Sequence, residues 1–338
     1  MATDTETPVA AVVLAAGLSK RMRSQKIKVL HHLCGRPAIL HLIDSLESAG
    51  FNRILLVVGH QREEVKHVVG DRAEYVVQEQ LLGTGDAVRR AVPRLRPEET
   101  VLITYGDTVL YRPETFRRLV EFHRECGAAA TLLSTRLVDP TGYGRVIRDA
   151  DGSFARIVEE RDASPAERLV TEINTGTYCF AGEALLSALP HLEARNAQGE
   201  FYLTDTLGWL RARGRQVAVL QLEDSEEALG FNDRRQLAQA EKVLRDRIRD
   251  RLMEAGVTLV DPSSVYIDPD VEIDADTVVE AGTWLVGRTR VGGGCHIGPW
   301  VYLEDAMVES GTRLAFCIQR GDNPPVPLAG PLPPRDNG

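Results

Sequence analysis

Residues 8–30 read PVAAVVLAAGLSKRMRSQKIKVL. An apolar run closes on Leu14-Ala15-Ala16-Gly17, and five cations follow: Lys20, Arg21, Arg23, Lys26 and Lys28. Small residues at a strand end let a ligand approach the backbone, where free N–H groups bind phosphate oxygens. Arg21 and Lys28 would add positive charge to the same mouth, which suits a triphosphate. The stretch holds neither the G-x-x-x-x-G-K-[ST] loop nor the G-x-G-x-x-G fingerprint. On spacing alone, a basic surface loop accounts for it equally well. A second candidate is Asp107. It follows the buried run VLITY, so its carboxylate would emerge at the edge of a parallel sheet where ligands bind.

The elements around these residues alternate. VAAVVLAAG reads as a buried strand, RPAILHLIDSLESAG as an amphipathic helix and NRILLVVGH as the next strand. QREEVKHVVG is a short helix, EYVVQ a strand, GTGDAVRRAV a helix start and TVLITYGD a strand again. That order predicts an α/β fold with a Rossmann-like, mostly parallel sheet. AAATLLSTRL, GRVIRDADGSFARIVEE and TYCF look hairpin-like, so the sheet should be mixed. The nucleotide-handling domain is assigned to residues 8–232. A charged amphipathic helix over 233–256 is read as the linker to a second domain.

The period then changes to six. Ile267, Ile273, Val279, Leu285, Val291, Ile297 and Leu303 mark one set. Val265, Val271, Thr277, Thr283, Thr289, Cys295 and Val301 sit two positions earlier. A hexapeptide period predicts a short β-helical solenoid over 257–316, its register lost after Ala306. Residues 317–338 are expected to be a proline-rich, extended tail.

Bulk composition excludes several classes. The chain has 338 residues, 43% hydrophobic and 26% charged, with a formal net charge of −9. No basic face would dominate such a protein, which argues against nucleic acid as a partner. No apolar run approaches the length of a membrane span, and the polar, acidic N-terminus is unlike a signal or transit peptide. Five scattered cysteines fit free thiols in a reducing cytoplasm and offer no zinc site.

LAAGLSKRM followed by KVL resembles the signature of the sugar-nucleotide pyrophosphorylases. QLLGTGDA, YGDTVL, DPTGYGRVIRD, IVEERDA, EINTGTY, NAQGEFYLTD and GFNDRRQL extend the likeness in order and spacing. They resemble the branch that transfers uridylate to N-acetylglucosamine 1-phosphate. The resemblance implies a nucleotide-diphospho-sugar transferase fold followed by a left-handed parallel β-helix, and Mg²⁺ as cofactor. It implies UTP and N-acetylglucosamine 1-phosphate as substrates and a homotrimer formed through the β-helix. Carried over by matching position, Arg21 would hold the triphosphate and Lys28 would orient it. Leu14, Ala15 and Gly17 would lie against the nucleotide. Gln78, Gly83 and Thr84 would contact uracil and sugar, and Tyr105 and Gly106 would border the sugar. Gly144, Glu159, Asn174 and Tyr202 would contact the N-acetylglucosamine part. Asp107 and Asn232 would be the protein ligands of Mg²⁺, with Asn232 also at the substrate.

The sequence departs from the family pattern at named places. Ser19 replaces a second glycine, and fits if its φ stays negative. Ile27 replaces a proline. Thr108 follows Asp107 where a proline is common, which could reshape the sugar pocket. Asp86 replaces a histidine and would bring a negative charge near the nucleotide. Bifunctional members of the family continue the β-helix into an acetyltransferase site; with the short C-terminus here, no acetyltransferase activity is expected.

Other features have plainer readings. His31 and His32 flank the mouth or pack. Asp224, Glu226 and Glu227 form a solvated acidic loop. Trp284 and Trp300 face outward from a coil, as an oligomer contact or as simple exposure. Two other functions remain open: a transferase for another sugar or nucleotide, suggested by Asp86 and Thr108, and a catalytically silent sugar-nucleotide-binding regulator. The presence of Arg21, Lys28, Asp107 and Asn232 together argues against the silent regulator.

Overall fold

In the computed structural model, which describes residues 7–328, every residue from Ala10 to Ala15 is buried. Such a strand must be covered on both faces, and it sits inside a sheet. The elements of the first unit run β1 (Val9–Ala15), β2 (His32–Leu33), β3 (Arg36–Pro37), α1 (Ala38–Ser48), β4 (Ile54–Val58), α2 (Arg62–Val69), β5 (Glu74–Val77), α3 (Thr84–Ala91) and β6 (Thr100–Tyr105). They continue with α4 (Pro113–Cys126), β7 (Ala130–Arg136), β8 (Arg145–Arg148), β9 (Phe154–Val158), α5 (Pro165–Arg168), β10 (Glu172–Ala181), α6 (Gly182–Ala188), α7 (Asp205–Arg211) and β11 (Val217–Gln221). The main sheet has the order β11-β7-β10-β6-β1-β4-β5, and β2 and β3 form a separate two-stranded ribbon.

Strand β1 is parallel to β4 on one side and to β6 on the other. Strand β10 is antiparallel to β6 and β7, and β8 and β9 make an antiparallel hairpin against it. The sheet is therefore mixed and mostly parallel, as expected. The chain leaves β1 toward β4 and β5, then returns to place β6 beside β1. That reversal opens a crevice at the carboxyl ends of β1 and β6, the usual ligand position in such sheets. Helix α4 starts with Pro113 and ends at Gly127, whose φ of 55° closes the helix in the left-handed region.

The chain divides into two compact units. The first comprises residues up to His31 with Pro37–Gln236; the second takes His32–Arg36 and everything from Leu237. The helix expected as a linker is α8 (Arg234–Glu254), and most of it belongs to the second unit. Its Ile248 and Leu252 are buried in one core with Val257, Leu259, Val265 and Ile267. The end of this helix is thus packed into the core of the second unit.

Three short-stranded parallel sheets follow. One is β12 (Thr258–Leu259), β15 (Val278–Val279), β18 (His296–Ile297) and β21 (Arg313–Leu314). The second is β13 (Tyr266–Ile267), β16 (Trp284–Val286), β19 (Tyr302–Glu304), β22 (Cys317–Arg320) and β23 (Val326–Pro327). The third is β14 (Glu272–Ile273), β17 (Arg290–Val291) and β20 (Met307–Val308). Ile267 pairs with Leu285 and Leu285 with Leu303, one full coil at each step. This is a parallel β-helix, with both hexapeptide sets buried. Thr277, Thr283 and Thr289 are fully buried, and Thr277 and Thr289 donate to the carbonyls of Gly292 and Val286.

The six-residue register is lost after Ala306, but the stacking of coils is not. Val291 pairs with Val308, Ile297 with Leu314 and Leu303 with Gln319. The chain drops a residue before Val308 and before Gln319 and keeps stacking, so a strict six-residue search loses it. The segment expected as a tail from residue 317 contributes β22 and β23, the latter antiparallel at Ile318 and Cys317. Residues 329–338 of that expected tail lie outside the described residues.

Candidate active site

A cavity of about 480 Å³ opens at the carboxyl ends of β1 and β6. Leu14, Ala15, Ala16 and Gly17 form one wall, followed by Ile27, Lys28 and Val29. Gln78, Gly83 and Thr84 line another part, and Tyr105 and Asp107 come from β6 and its turn. Gly144, Glu159, Asn174 and Asn232, also read from the sequence, line it too.

Three positions stand elsewhere. Arg21 is exposed on the single turn Lys20–Met22, outside the lining, where its charge helps hold the Asp233 carboxyl below its ordinary range after backbone hydrogen bonds from Gln236 and Arg235. Gly106 packs behind the wall: a Cβ there would meet Ala15 Cβ at 3.1 Å. Tyr202 is buried, with its hydroxyl accepting from Gln198 Nε2 at 2.6 Å. Residues that sequence reasoning passed over include Tyr143, Thr175, Gly176, Glu200 and Gly230. Tyr143 and Gly176 lay inside DPTGYGRVIRD and EINTGTY, so motif membership was their only signal.

The charged centre is compact. The Lys28 ammonium contacts Asp107 Oδ2 and donates to Asn232 Oδ1 at 2.9 Å. Lys28 is placed by a short helical turn, Lys28–Leu30, after Ile27 at φ −60° and ψ 143°. That is backbone a proline would adopt, which explains how isoleucine stands there without disturbance. Ser19 departs from expectation. Its φ is 54°, in the left-handed region, where glycine is favoured. Its hydroxyl compensates by accepting the Lys28 backbone N–H at 3.0 Å, which ties the basic loop closed.

The other departures are also absorbed. Thr108 is buried and donates to the Tyr105 carbonyl at 2.7 Å, so it braces the turn behind Asp107 rather than shaping the cavity. Asp86 is buried, accepts from Gln78 Nε2 at 2.9 Å and pairs with Arg90 at 3.0 Å. Its charge is partnered and does not line the cavity.

Strand β10 slips register between Asn174 and Tyr178. The slip turns Asn174 so that its amide nitrogen donates to the Tyr178 hydroxyl at 2.7 Å and its oxygen accepts Gly176 N–H at 3.1 Å. Gly176 has φ 82°, and a Cβ there would stand 2.1 Å from the Tyr105 ring. Gly83, at φ 109°, lies so close to the Phe201 backbone that a Cβ would meet its carbonyl at 2.6 Å. Both glycines are fixed by close approach.

Burial raises the Glu159 carboxyl, and the charges of Asp162 and Asp205 add to this; a Thr204 hydroxyl at 3.4 Å opposes it. Burial also raises the Tyr105 phenol, reinforced by Glu159 and Asp107. Glu159 therefore holds a proton more readily than an exposed carboxyl would, and it lines the same cavity as Lys28.

The acidic run near residue 224 is not simply solvated. Glu227 is buried and accepts from the Thr115 hydroxyl at 2.5 Å and from Arg112 N–H at 2.9 Å, at the start of α4. His31 is buried and His32 exposed, and neither lines the cavity. Among the described residues, no cluster of three His, Cys, Asp or Glu side chains could hold a metal. Asp107 and Asn232 nevertheless converge on one cation, the Lys28 ammonium. That carboxylate–amide pair suits a hard divalent ion that keeps waters and phosphate oxygens as its other ligands.

Residues 11–257 match the model of the MobA-like NTP transferase domain. A bifunctional protein GlmU from Halalkalibacterium halodurans is 45% identical over 305 residues, covering 90% of this chain and 67% of the relative. One from Brevibacillus brevis is 45% identical over 309 residues, 91% of this chain and 67% of the relative. A Bacillus anthracis structure assigned as a glucose-1-phosphate thymidylyltransferase aligns with a TM-score of 0.60 at 20% identity. It covers 70% of this chain and 96% of that one, and supports the fold alone.

Proposed function

Since the chain belongs to the MobA-like NTP transferase domain family, with the bifunctional GlmU proteins as relatives, we propose that it joins UTP to N-acetylglucosamine 1-phosphate. The chain is a nucleotidyltransferase. The proposed products are UDP-N-acetylglucosamine and diphosphate. The observation that carries this reading is the Lys28–Asp107–Asn232 centre beside the small-residue wall of Leu14–Gly17, inside one cavity.

The nucleophile is a phosphate oxygen of the sugar phosphate, so no strong general base is required. It forms a bond to the α-phosphorus of the nucleotide as the α–β bridge bond breaks, and the electron pair leaves with diphosphate. The protein's work is to align two anions and neutralise charge. Lys28 supplies a fixed ammonium at the phosphates, and Ser19 holds the backbone that carries it. Arg21, on the exposed turn beside the mouth, is the second cation we assign to the triphosphate. Leu14, Ala15 and Gly17 admit the nucleotide, with Gln78, Gly83 and Thr84 at its base. Tyr105 borders the sugar and Gly106 packs behind it. Gly144, Glu159 and Asn174 contact the sugar's substituents, with Tyr202 supporting that side. Asp107 and Asn232 would hold a divalent cation, for which we propose Mg²⁺; bound there, it would supply positive charge to offset that of the phosphates.

We also propose assembly as a homotrimer through the β-helix. Exposed Trp300, Met307 and Phe316 on that unit support it. A cytoplasmic setting is supported by the five free cysteines, four of them buried. Among the described residues, no helix is long and apolar enough to cross a membrane.

The test is diphosphate release with Mg²⁺ from UTP, dTTP, CTP and GTP against N-acetylglucosamine 1-phosphate, glucose 1-phosphate and glucosamine 1-phosphate. Dominant turnover of UTP with N-acetylglucosamine 1-phosphate, lost in Asp107→Ala, is the expected result. Dominance of another pair would overturn the substrate assignment. UTP binding without turnover of any pair would favour the silent regulator.

A further inference from the structure

The Gln78 side-chain amide nitrogen carries two N–H bonds, and both are taken. Nε2 donates to Asp86 Oδ2 at 2.9 Å and to the Gly83 carbonyl at 3.2 Å. Asp86 is held in turn, because its Oδ1 accepts from the Arg90 guanidinium at 3.0 Å, one turn further along α3. Gln78 and Asp86 are only 4% and 5% exposed, so water does not compete freely for these bonds. Carboxylate and carbonyl oxygens only accept. Reversing the amide would set oxygen against oxygen at two points. The polar atom that Gln78 retains for a ligand is therefore Oε1, and Gln78 lines the cavity.

We propose that Asp86 is a specificity-determining positioning residue: it locks Gln78 as a hydrogen-bond acceptor and so selects a pyrimidine with a ring N3–H over one without. Uracil and thymine carry that donor. Cytosine presents an unprotonated N3, which would face Oε1 with lone pair against lone pair. A site built around one hydrogen bond discriminates strongly against the analogue that leaves its buried group unpaired. The inference rests on the proposed placement of the nucleotide base against Gln78.

Three variants test it. In Asp86→Asn, Arg90 takes the single amide oxygen and turns the new NH2 toward Gln78. Donor then meets donor, and the Gln78 amide loses its fixed sense. Asp86→Ala leaves only the Gly83 carbonyl to hold it. Arg90→Ala, at a position with a 46% exposed side chain, loosens Asp86 without touching the core. Steady-state diphosphate release is measured with UTP and with CTP at fixed N-acetylglucosamine 1-phosphate, with unfolding midpoints taken in parallel. The expected result is a fall in the UTP/CTP ratio of kcat/KM of about tenfold or more in Asp86→Asn. Smaller falls follow in the other two, carried by KM for UTP more than by kcat. A merely structural role would lower both nucleotides alike, and an unchanged ratio in all three folded variants overturns the inference. So does a wild type that uses UTP and CTP equally. A wild type with no uridylyl transfer at all overturns the proposed function and this inference with it.

Discussion

Lys28 and Asn232 lie 204 positions apart in the chain and meet at 2.9 Å, ammonium to amide oxygen. Asp107 closes the same centre from the turn after β6. Three distant segments thus supply one cation and two oxygen donors, and their variants should behave differently. Asp107→Ala should lower kcat by about 100-fold or more, on the scale of losing one preorganised electrostatic group. Asn232→Ala should raise the Mg²⁺ concentration needed for half-maximal rate, with partial rescue at high Mg²⁺. Lys28→Ala should lose a comparable factor that added Mg²⁺ does not restore. Diphosphate release titrated with MgCl2, after removal of metal with EDTA, separates the three.

Gly176 and Tyr105 form a second pairing with a sharp expectation. Gly176→Ala combines a left-handed φ of 82° with a Cβ 2.1 Å from the ring. It should cost about 3 kcal/mol of stability and raise KM for the sugar phosphate, as the ring is pushed into the cavity. Adding Tyr105→Ala should recover part of the lost stability but not the backbone strain, about 1 kcal/mol. A denaturation cycle over the four proteins measures the coupling; zero coupling would mean that the ring is not the obstacle.

Glu227 anchors the start of α4. Glu227→Ala strands the buried Thr115 hydroxyl and the part-buried Arg112 N–H, and should cost about 2–3 kcal/mol. Glu227→Gln keeps an accepting oxygen and should cost about half of that. Urea midpoints decide between this and a solvated loop, for which both variants would be nearly neutral.

His123 should make stability depend on pH. It is 3% exposed, its Nδ1 is 2.9 Å from the Thr131 hydroxyl, and burial, with the nearby Arg124 charge, pushes its pKa down to about 4. In the unfolded chain it takes a proton near its ordinary 6.5. The neutral ring's contribution is therefore complete above pH 6.5 and is lost progressively as pH falls toward about 4. The full loss is about 3 kcal/mol. Wild type and His123→Gln compared by urea unfolding at pH 7 and pH 4.5 should differ in slope, the variant being flatter. Parallel slopes would contradict the assignment.

Much of the site was legible because it is built from backbone-dominated motifs. The run to Gly17, the GTG that starts at Gly83 and the EINTG that ends at Gly176 are dictated by close approach and turn geometry, so they survive in the sequence as small residues. Partnering between distant side chains left no such trace. Asp86 reads as an added charge until Arg90 and Gln78 are seen on either side of it. Glu227 reads as solvated until Thr115 arrives from a segment 112 positions away. Ser19 reads as a negative-φ substitution, because its compensating bond to Lys28 N–H depends on a loop whose path no local pattern specifies. In the β-helix the six-residue rhythm was plain through Leu303. The dropped residues before Val308 and Gln319 hid the last strands, since pairing tolerates a shortened corner that a fixed period does not.

The position of β1 also has a consequence in time. Strand β1 leaves the ribosome ahead of the two strands that flank it in the sheet, and these neighbours, β4 and β6, are made tens of residues later. Until they arrive, an apolar ribbon waits without partners. The charged centre waits longer still, because Asn232 lies near the last residue of the first unit. A partly synthesised chain can possess Lys28 and Asp107 without a place for a phosphate between them. Competence therefore arrives late and all at once, and recovery of activity after denaturation reports completion of the whole first unit rather than of its sheet.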